Sequence, residues 1–268
     1  MPMDKFIRFE RNCVYHLGVA MLEQQAAGLI SAGNIAVFSG PTTTDSLDRH
    51  SFLAAQNVVR RLRQGYTYVE IGSEVGGTLV PHLLDPTCQR VVSIDLRPDY
   101  QPDERGSQFS YVGHSTARMI ETLRPLMPAT SLAKLATFDA DARQVSPAAI
   151  AGPADLVLID GEHTVTAAFS DFMSLLPALS PNAVVLFHDA NLVVDAIANI
   201  ERLLQYECVP FTTYFLPSVV AAIALRGSQM TAGETFGPMA LDRGQFVSLS
   251  KRRLREDIAQ AVAINAHH

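Results

Sequence analysis

The chain of 268 residues has no run approaching the roughly 18 consecutive apolar residues that a membrane-spanning helix needs. Its first ten residues mix both charges and lack an apolar signal core, so a secretory leader is not expected. Cysteine is scarce: Cys13, Cys88 and Cys208 stand far apart, without metal-type spacing. An odd and sparse set fits reduced thiols, and a cytoplasmic location is the expectation. Basic excess is also missing. The formal charge is −6, which gives no electrostatic grip on nucleic acid or anionic lipid. Neither an internal repeat nor a low-complexity segment occurs, and the dinucleotide fingerprint G-x-G-x-x-G is absent.

What is present is a globular composition. Hydrophobic residues make up 48% and charged residues 18%, enough for one sizeable core and too apolar for disorder. The segment from Cys13 to Ile30 reads as a helix, and Leu47 to Gln64 as an amphipathic one that Asp45 or Ser46 caps. On the second helix, Phe52, Leu53, Val58, Val59 and Leu62 oppose Arg60, Arg61 and Arg63, which read as a solvated face. Residues 1–64 thus form an N-terminal helical extension, expected to act as a lid or a homodimer contact.

After Gly65 the period changes. Short apolar runs at Tyr66–Ile71, Arg90–Asp95, Asp155–Asp160 and Ala183–His188 read as strands, with helices at Thr164–Leu176 and Asn191–Gln205. Strands alternating with helices imply βαβ units and a mostly parallel sheet. Phe109–Val112 and Lys134–Phe138 compete for a further strand. Phe211–Leu216 and Val219–Leu225 read as a closing hairpin, Gly227–Gly244 as a loop and Lys251–Ala263 as a last helix. The expected division is therefore 1–64, a Rossmann-like domain over 65–227, and a C-terminal loop and helix over 228–268.

Two of these strands end in acid and imidazole: Asp160-Gly161-Glu162-His163 and His188-Asp189. Ligands of open α/β sheets bind beyond the carboxyl ends of the strands. The first strand ends in Glu70-Ile71-Gly72-Ser73-Glu74-Val75-Gly76-Gly77, where glycines allow positive φ and close approach of a ligand to the backbone. An acidic residue there suits a ligand with an ammonium group, as in S-adenosylmethionine. Asp95 closes the second strand, where a carboxylate can hold ribose hydroxyls.

The pieces VEIGSEVGG, RVVSIDL, DLVLIDGEHTVTAAFSDF and FHDA together resemble the class I S-adenosylmethionine-dependent methyltransferases. The resemblance spans roughly Tyr66 to Arg226. It leans to the branch with sugar and macrolide-sugar O-methyltransferases and cephalosporin hydroxylase-like proteins. It implies an α/β, doubly wound seven-stranded sheet, with S-adenosylmethionine as cofactor. Glu70, Gly72, Ser73, Gly76 and Gly77 would line its methionine end, Asp95 its ribose, and Asp141 its adenine, with His114-Ser115 as the rival at the adenine. It also implies Asp160, His188 and Asp189 at a divalent-metal site, with Asp160 and His163 as the reacting pair and His163 as general base. Position 188 departs from the pattern, because metal-dependent members carry Glu there. Imidazole suits transition metals better than magnesium. A transition metal, magnesium on Asp160 and Asp189 alone, and no metal all stay open.

The expected reaction is O-methylation of a small-molecule or saccharide hydroxyl. The alternatives are a cofactor-binding relative that transfers no methyl group and a Rossmann-type oxidoreductase. Asp171 reads as an ordinary helix residue, Phe169, Phe172 and Met173 as core, and His16 and His82 as structural or surface histidines.

Overall fold

The computed structural model describes residues 23–265, with side chains through residue 259. Cys13, His16 and the first half of the helix expected over Cys13–Ile30 lie outside the described residues. The remainder forms α1 (Glu23–Ser31).

Helix α2 (Ser46–Leu62) begins where local chemistry demands it. Asp45 accepts hydrogen bonds from the backbone N–H groups of Leu47 and Asp48, and the Asp48 carboxylate accepts from the Asp45 N–H. This reciprocal cap satisfies donors that an isolated helix leaves orphaned. Gly65, at φ +77°, then turns the chain into β1 (Tyr66–Ile71). Helix α2 is not a lid: its apolar face lies on the sheet and joins the same core as Tyr66, Tyr68, Leu156 and Leu158.

Next come α3 (Val80–Leu84), β2 (Cys88–Ile94), a short hairpin of β3 (Tyr100–Pro102) and β4 (Gln108–Ser110), then α4 (Thr116–Leu123) and α5 (Ala129–Leu132). They are followed by β5 (Leu135–Phe138), β6 (Ala154–Ile159), α6 (Val165–Leu175), β7 (Leu179–Phe187) and α7 (Val194–Tyr206). β8 (Phe211–Phe215) and β9 (Ala221–Leu225) precede α8 (Gln229–Phe236) and α9 (Arg243–Asn265).

Seven strands form one sheet in the order β5-β2-β1-β6-β7-β9-β8. Only β9 runs against its neighbours, pairing antiparallel with β7 and β8. Of the two candidates for the ambiguous strand, Leu135–Phe138 takes the place beside β2. Phe109 falls instead in the β3–β4 hairpin, which stands outside the main sheet and touches it through a bridge from Asp103 to His163.

Period-two alternation divides the strand side chains between two buried layers. Tyr66, Tyr68, Leu156, Leu158, Val184 and Leu186 face α1, α2 and α3. Val69, Ile71, Val157, Ile159, Val185 and Phe187 face α6 and α7. Both faces being covered explains why the strands read as continuous apolar runs. Each large side chain so buried contributes about 1.5–3 kcal/mol.

Two readings need correction at the surface. Residues 227–244 are not a loop: α8 occupies 229–236, a short helical turn follows at Gly237–Met239, and α9 starts at Arg243 rather than near Lys251. Gly233, Gly237 and two threonines weaken the helical signal of this stretch, but burial of Ala232 and Phe236 beside α2 outweighs propensity. Arg60, Arg61 and Arg63 are not merely a solvated face either. Arg60 pairs with buried Asp85 at 3.1 Å, Arg61 donates to the Thr231 carbonyl at 3.1 Å, and Arg63 meets Asp155 at 3.1 Å. The three arginines fasten α2 to the β1–α3 region, to α8 and to β6 in turn.

Candidate active site

The register of the sheet builds the site. Ile71 pairs with Ile94 on one side and Ile159 on the other, and Ile159 pairs with Phe187. The next residues, Gly72, Asp95, Asp160 and His188, therefore form one row along the carboxyl edge. Backbone bonds continue across it: Gly72 N–H to Ile94 O, Asp160 N–H to Ile71 O, and His188 N–H to Ile159 O. The strand order reverses between β1 and β6, where a crevice for ligands opens.

On the β1 side lies the glycine loop. Gly72 at φ +88° and Gly76 at φ +83° adopt the left-handed backbone that side chains disfavour. Glu74 N–H donates to Asp95 Oδ2 at 2.9 Å, and Arg97 N–H donates to Asp95 Oδ1 at 2.9 Å. The Arg97 side chain spans the Glu74 carbonyl, Asp95 and Thr116, so it ties the loop to β2 and α4. No sequence signal marked Arg97 for this task. Ser73 is buried, and its Oγ has no hydrogen-bond partner among the described residues. A buried hydroxyl without a partner is costly unless a ligand meets it. The loop thus fits a polar cofactor.

Glu70 does not point into the crevice. It is fully buried beneath the loop, where Tyr68 Oη donates to it at 2.5 Å and Thr78 Oγ1 at 2.6 Å. Thr78 follows the glycine pair directly, so Glu70 acts on the loop by fixing its exit. Burial pushes the Glu70 carboxyl up to about 8. Burial likewise raises Asp171 to about 7, with Asp141 adding to the rise. Both groups are protonated in the fold at pH values where the unfolded chain is ionised. Their stabilisation is complete below the unfolded pKa and disappears as pH rises through 7 to 8. The cofactor-free protein is therefore expected to melt at progressively lower temperature from pH 5 to pH 8.5. Glu70→Gln should flatten that slope in a thermal-melt series, and an unchanged slope would refute the assignment.

Behind the loop, His82 stacks on Tyr68 at 3.6 Å, and its Nδ1 lies 3.0 Å from Tyr66 Oη. Burial drives its pKa down to about 3, so it is a neutral core histidine, as its sequence setting suggests. Asp141 caps a short turn and pairs with Arg143 on the rim. Its rival His114 lies 3.7 Å from Glu74, while Ser115 caps α4. Asp171 lies against the next strand end: a β-carbon at Gly161 would sit 3.2 Å from Asp171 Oδ2. Phe172 is fully buried as expected, but Met173 is exposed and does not belong to the core, because it falls on the outer face of α6.

On the β6–β7 side the structure gathers Asp160, His163, His188 and Asp189. Thr164, not His163, caps α6, which frees the imidazole. His163 Nε2 lies 3.3 Å from Asp160 Oδ1, and Nδ1 lies 3.2 Å from Asp189 Oδ2. His188 Nδ1 lies 2.9 Å from Asp160 Oδ1, and its Nε2 is 3.2 Å from Asp48 Oδ2 on α2. Burial alone would raise Asp160, but the charge of His188 and the bond to His163 outweigh it and hold the carboxyl low. Burial alone would lower both histidines; the facing carboxylates reverse that and raise both. The β3–β4 hairpin forms a wall beside them. Glu104 N–H donates to the His163 carbonyl, and the Phe109 ring meets the His163 ring edge-on at 6.4 Å.

The expected metal set of Asp160, His188 and Asp189 does not form a cage, because His188 turns both ring nitrogens toward carboxylates. Ligand atoms of Asp160, His163 and Asp189 do lie within 4.8 Å of one another. A cation there would stand beside the His188 ring and would compete for His163. These donors do not fit a resident metal that leaves His163 free.

A seven-stranded sheet with this order, one reversed strand and its polar row at the carboxyl edge is the class I methyltransferase fold. Residues 69–190 match the model of a family described as a methyltransferase domain. Over that stretch the chain is similar to a methyltransferase domain, and the sheet around it has the Rossmann-like methyltransferase fold. Among solved structures it is similar to the calicheamicin methyltransferase CalS11, at 16% identity and a TM-score of 0.51, over 76% of this chain and 91% of that one. It is also similar to the N-methyltransferase NodS of Bradyrhizobium japonicum WM9, solved with S-adenosyl-L-homocysteine, at 14% identity, a TM-score of 0.43, and 75% and 98% coverage. The ribosomal protein L11 methylase of Lactobacillus delbrueckii subsp. bulgaricus matches at 14% identity and a TM-score of 0.43, over 66% and 79%. No curated protein matches the sequence significantly. Among the described residues, no helix is long and apolar enough to cross a membrane.

Proposed function

We propose that the protein transfers a methyl group from S-adenosylmethionine to a hydroxyl of a small molecule or saccharide, with His163 as general base. One observation carries this reading: the imidazole of His163 stands between two carboxylates at the crevice where the glycine loop and Asp95 offer a cofactor cradle.

The cofactor supplies an activated methyl on a sulfonium. An alcohol is a poor nucleophile because it is almost fully protonated near neutral pH. His163 takes the hydroxyl proton as the oxygen–carbon bond forms and the carbon–sulfur bond breaks, leaving S-adenosylhomocysteine. Asp160 holds the ring by Nε2, and the acceptor hydroxyl reaches Nδ1 by taking the place of the Asp189 carboxylate. The loop backbone, Ser73 and Asp95 hold the cofactor in line, and the hairpin wall with Phe109 excludes water.

Isothermal calorimetry with S-adenosylmethionine and with NAD, followed by methyl transfer to a panel of alcohols and amines, tests the reading. The expected result is one site for S-adenosylmethionine, no heat with NAD, and product on hydroxyl acceptors only. Binding of NAD alone would overturn the cofactor, and methylation confined to amines would overturn the acceptor.

A further inference from the structure

Asp48 is a buried carboxylate that the proposed reaction leaves without a task. It lies in the first turn of α2 and is 3% exposed. Its Oδ2 meets His188 Nε2 at 3.2 Å and accepts from the Asp45 N–H at 3.1 Å, while Oδ1 has no partner among the described residues. The distances trace an alternating chain from α2 to the crevice. Asp48 meets His188, His188 meets Asp160 at 2.9 Å, and Asp160 meets His163 at 3.3 Å.

A neutral imidazole donates from one nitrogen and accepts at the other. Carboxylate oxygens face both nitrogens of His188, so both carry hydrogen and the ring is a cation. Its surroundings are Asp48 and the Phe52 ring from α2, Asp160 at the end of β6, and Asp189 at 3.7 Å from its own loop. His163 faces Asp160, Asp189 and the Phe109 ring.

We propose that Asp48 and His188 are positioning residues of the methyl-transfer site: they fix a proton-borne positive charge behind Asp160, where it does the orienting work of a divalent ion. Asp160 then keeps the Nε2–H of His163, and Nδ1 is the atom that receives the acceptor proton. The assignment of nitrogens follows from what can move. Asp160 is anchored by His188 and is 16% exposed at its side chain, whereas Asp189 is 28% exposed and sits at φ +47° in the β7–α7 turn. An incoming hydroxyl displaces the Asp189 carboxylate, not Asp160. This inference rests on the reading of His163 as base.

The test uses the full chain after dialysis against EDTA, with Mn(II) as the metal probe. Asp48→Asn, His188→Gln and, as a folding control, Asp45→Ala are compared with the wild type. We expect methyl transfer insensitive to EDTA and no stoichiometric Mn(II) uptake by electron paramagnetic resonance. Asp48→Asn should lower kcat about tenfold, as loss of an orienting partner does, with the KM for S-adenosylmethionine unchanged. It should also move the rising limb of the pH–kcat profile upward, because an Asp160 charge without its cation holds the His163 proton more tightly. Asp48→Glu should recover part of the rate. Asp45→Ala removes the helix cap and should cost thermal stability without changing kcat. Nitrogen-15 spectra should show both His188 nitrogens still protonated above the ordinary imidazole range in the wild type.

Activity lost to EDTA and restored by Mn(II) would overturn the proposal, as would wild-type kcat and pH profile in Asp48→Asn. Full activity of His163→Ala would remove the base reading, and this proposal with it. With His163 required, a negative result at Asp48 overturns this proposal alone.

Discussion

His163→Ala should lower kcat by about 10²–10⁴-fold, the usual contribution of a positioned general base, and leave the KM for S-adenosylmethionine within about twofold of wild type. The imidazole belongs to the β6–β7 side of the row, whereas the glycine loop and Asp95 lie on the β1–β2 side. On the proposed reading, removing it deletes the proton acceptor and leaves the glycine loop and Asp95 untouched. The wild-type profile carries a sign of its own. Asp160 and Asp189 raise His163 above its ordinary value against the opposing effect of burial. A base works only when deprotonated, so kcat/KM rises with pH through a midpoint above 6.5. That limb should vanish in His163→Ala, and millimolar imidazole should restore part of the rate. Full activity with an unchanged profile would end the assignment.

The row of strand ends was legible because it needs only local chemistry. Apolar runs of strand length ended in polar groups, and in a parallel sheet those ends fall side by side. Thus Gly72, Asp95, Asp160 and His188 are identifiable from the sequence without their register. What escaped was whatever depended on distant elements meeting. Asp48 reads in sequence only as the third residue of a capped helix, and nothing local announces a partner 140 positions away. Arg97 is hidden for the same reason, since its partners Glu74, Asp95 and Thr116 are joined only by the fold.

Direction was harder to read than position. The sequence locates Glu70 at the end of β1, but period two sends its side chain to the same layer as Tyr68, away from the crevice. His188 reads as the residue that ends β7, while its contact with Asp48 is visible only in the fold. Residues 229–236 show the limit of propensity, for their glycines and threonines obscured a helix that exists because Phe236 and Ala232 have a place to be buried. Of the β3–β4 hairpin the sequence signals only Phe109–Val112, because three-residue strands give too few alternations to count.

Gly72→Ala should be the most damaging single change in the cofactor loop. Two independent costs meet there. The residue sits at φ +88°, where an L side chain is strained by about 1–2 kcal/mol. A β-carbon would also lie 2.1 Å from the Asp160 carbonyl oxygen and 2.8 Å from the Gly161 nitrogen. These are backbone atoms, so no rotamer change relieves the overlap. The carbonyl lies one residue past β6, where its ladder with β1 ends, and moving it displaces Asp160 and its two histidine partners. Forced overpacking adds about 1–3 kcal/mol, giving a total loss of roughly 2–5 kcal/mol. Urea unfolding should show a lower midpoint at constant m. Calorimetry at low temperature, where the variant remains folded, should show S-adenosylmethionine affinity reduced together with the catalytic rate. Gly106 supplies the control: it too has a positive φ, +76°, but no atom lies within 4 Å of its would-be β-carbon. Gly106→Ala should therefore pay the backbone strain alone, and both sites must share that cost. Equal losses at the two positions would show that contact with Asp160 contributes nothing, and would remove the steric link between the cofactor loop and the acidic cluster.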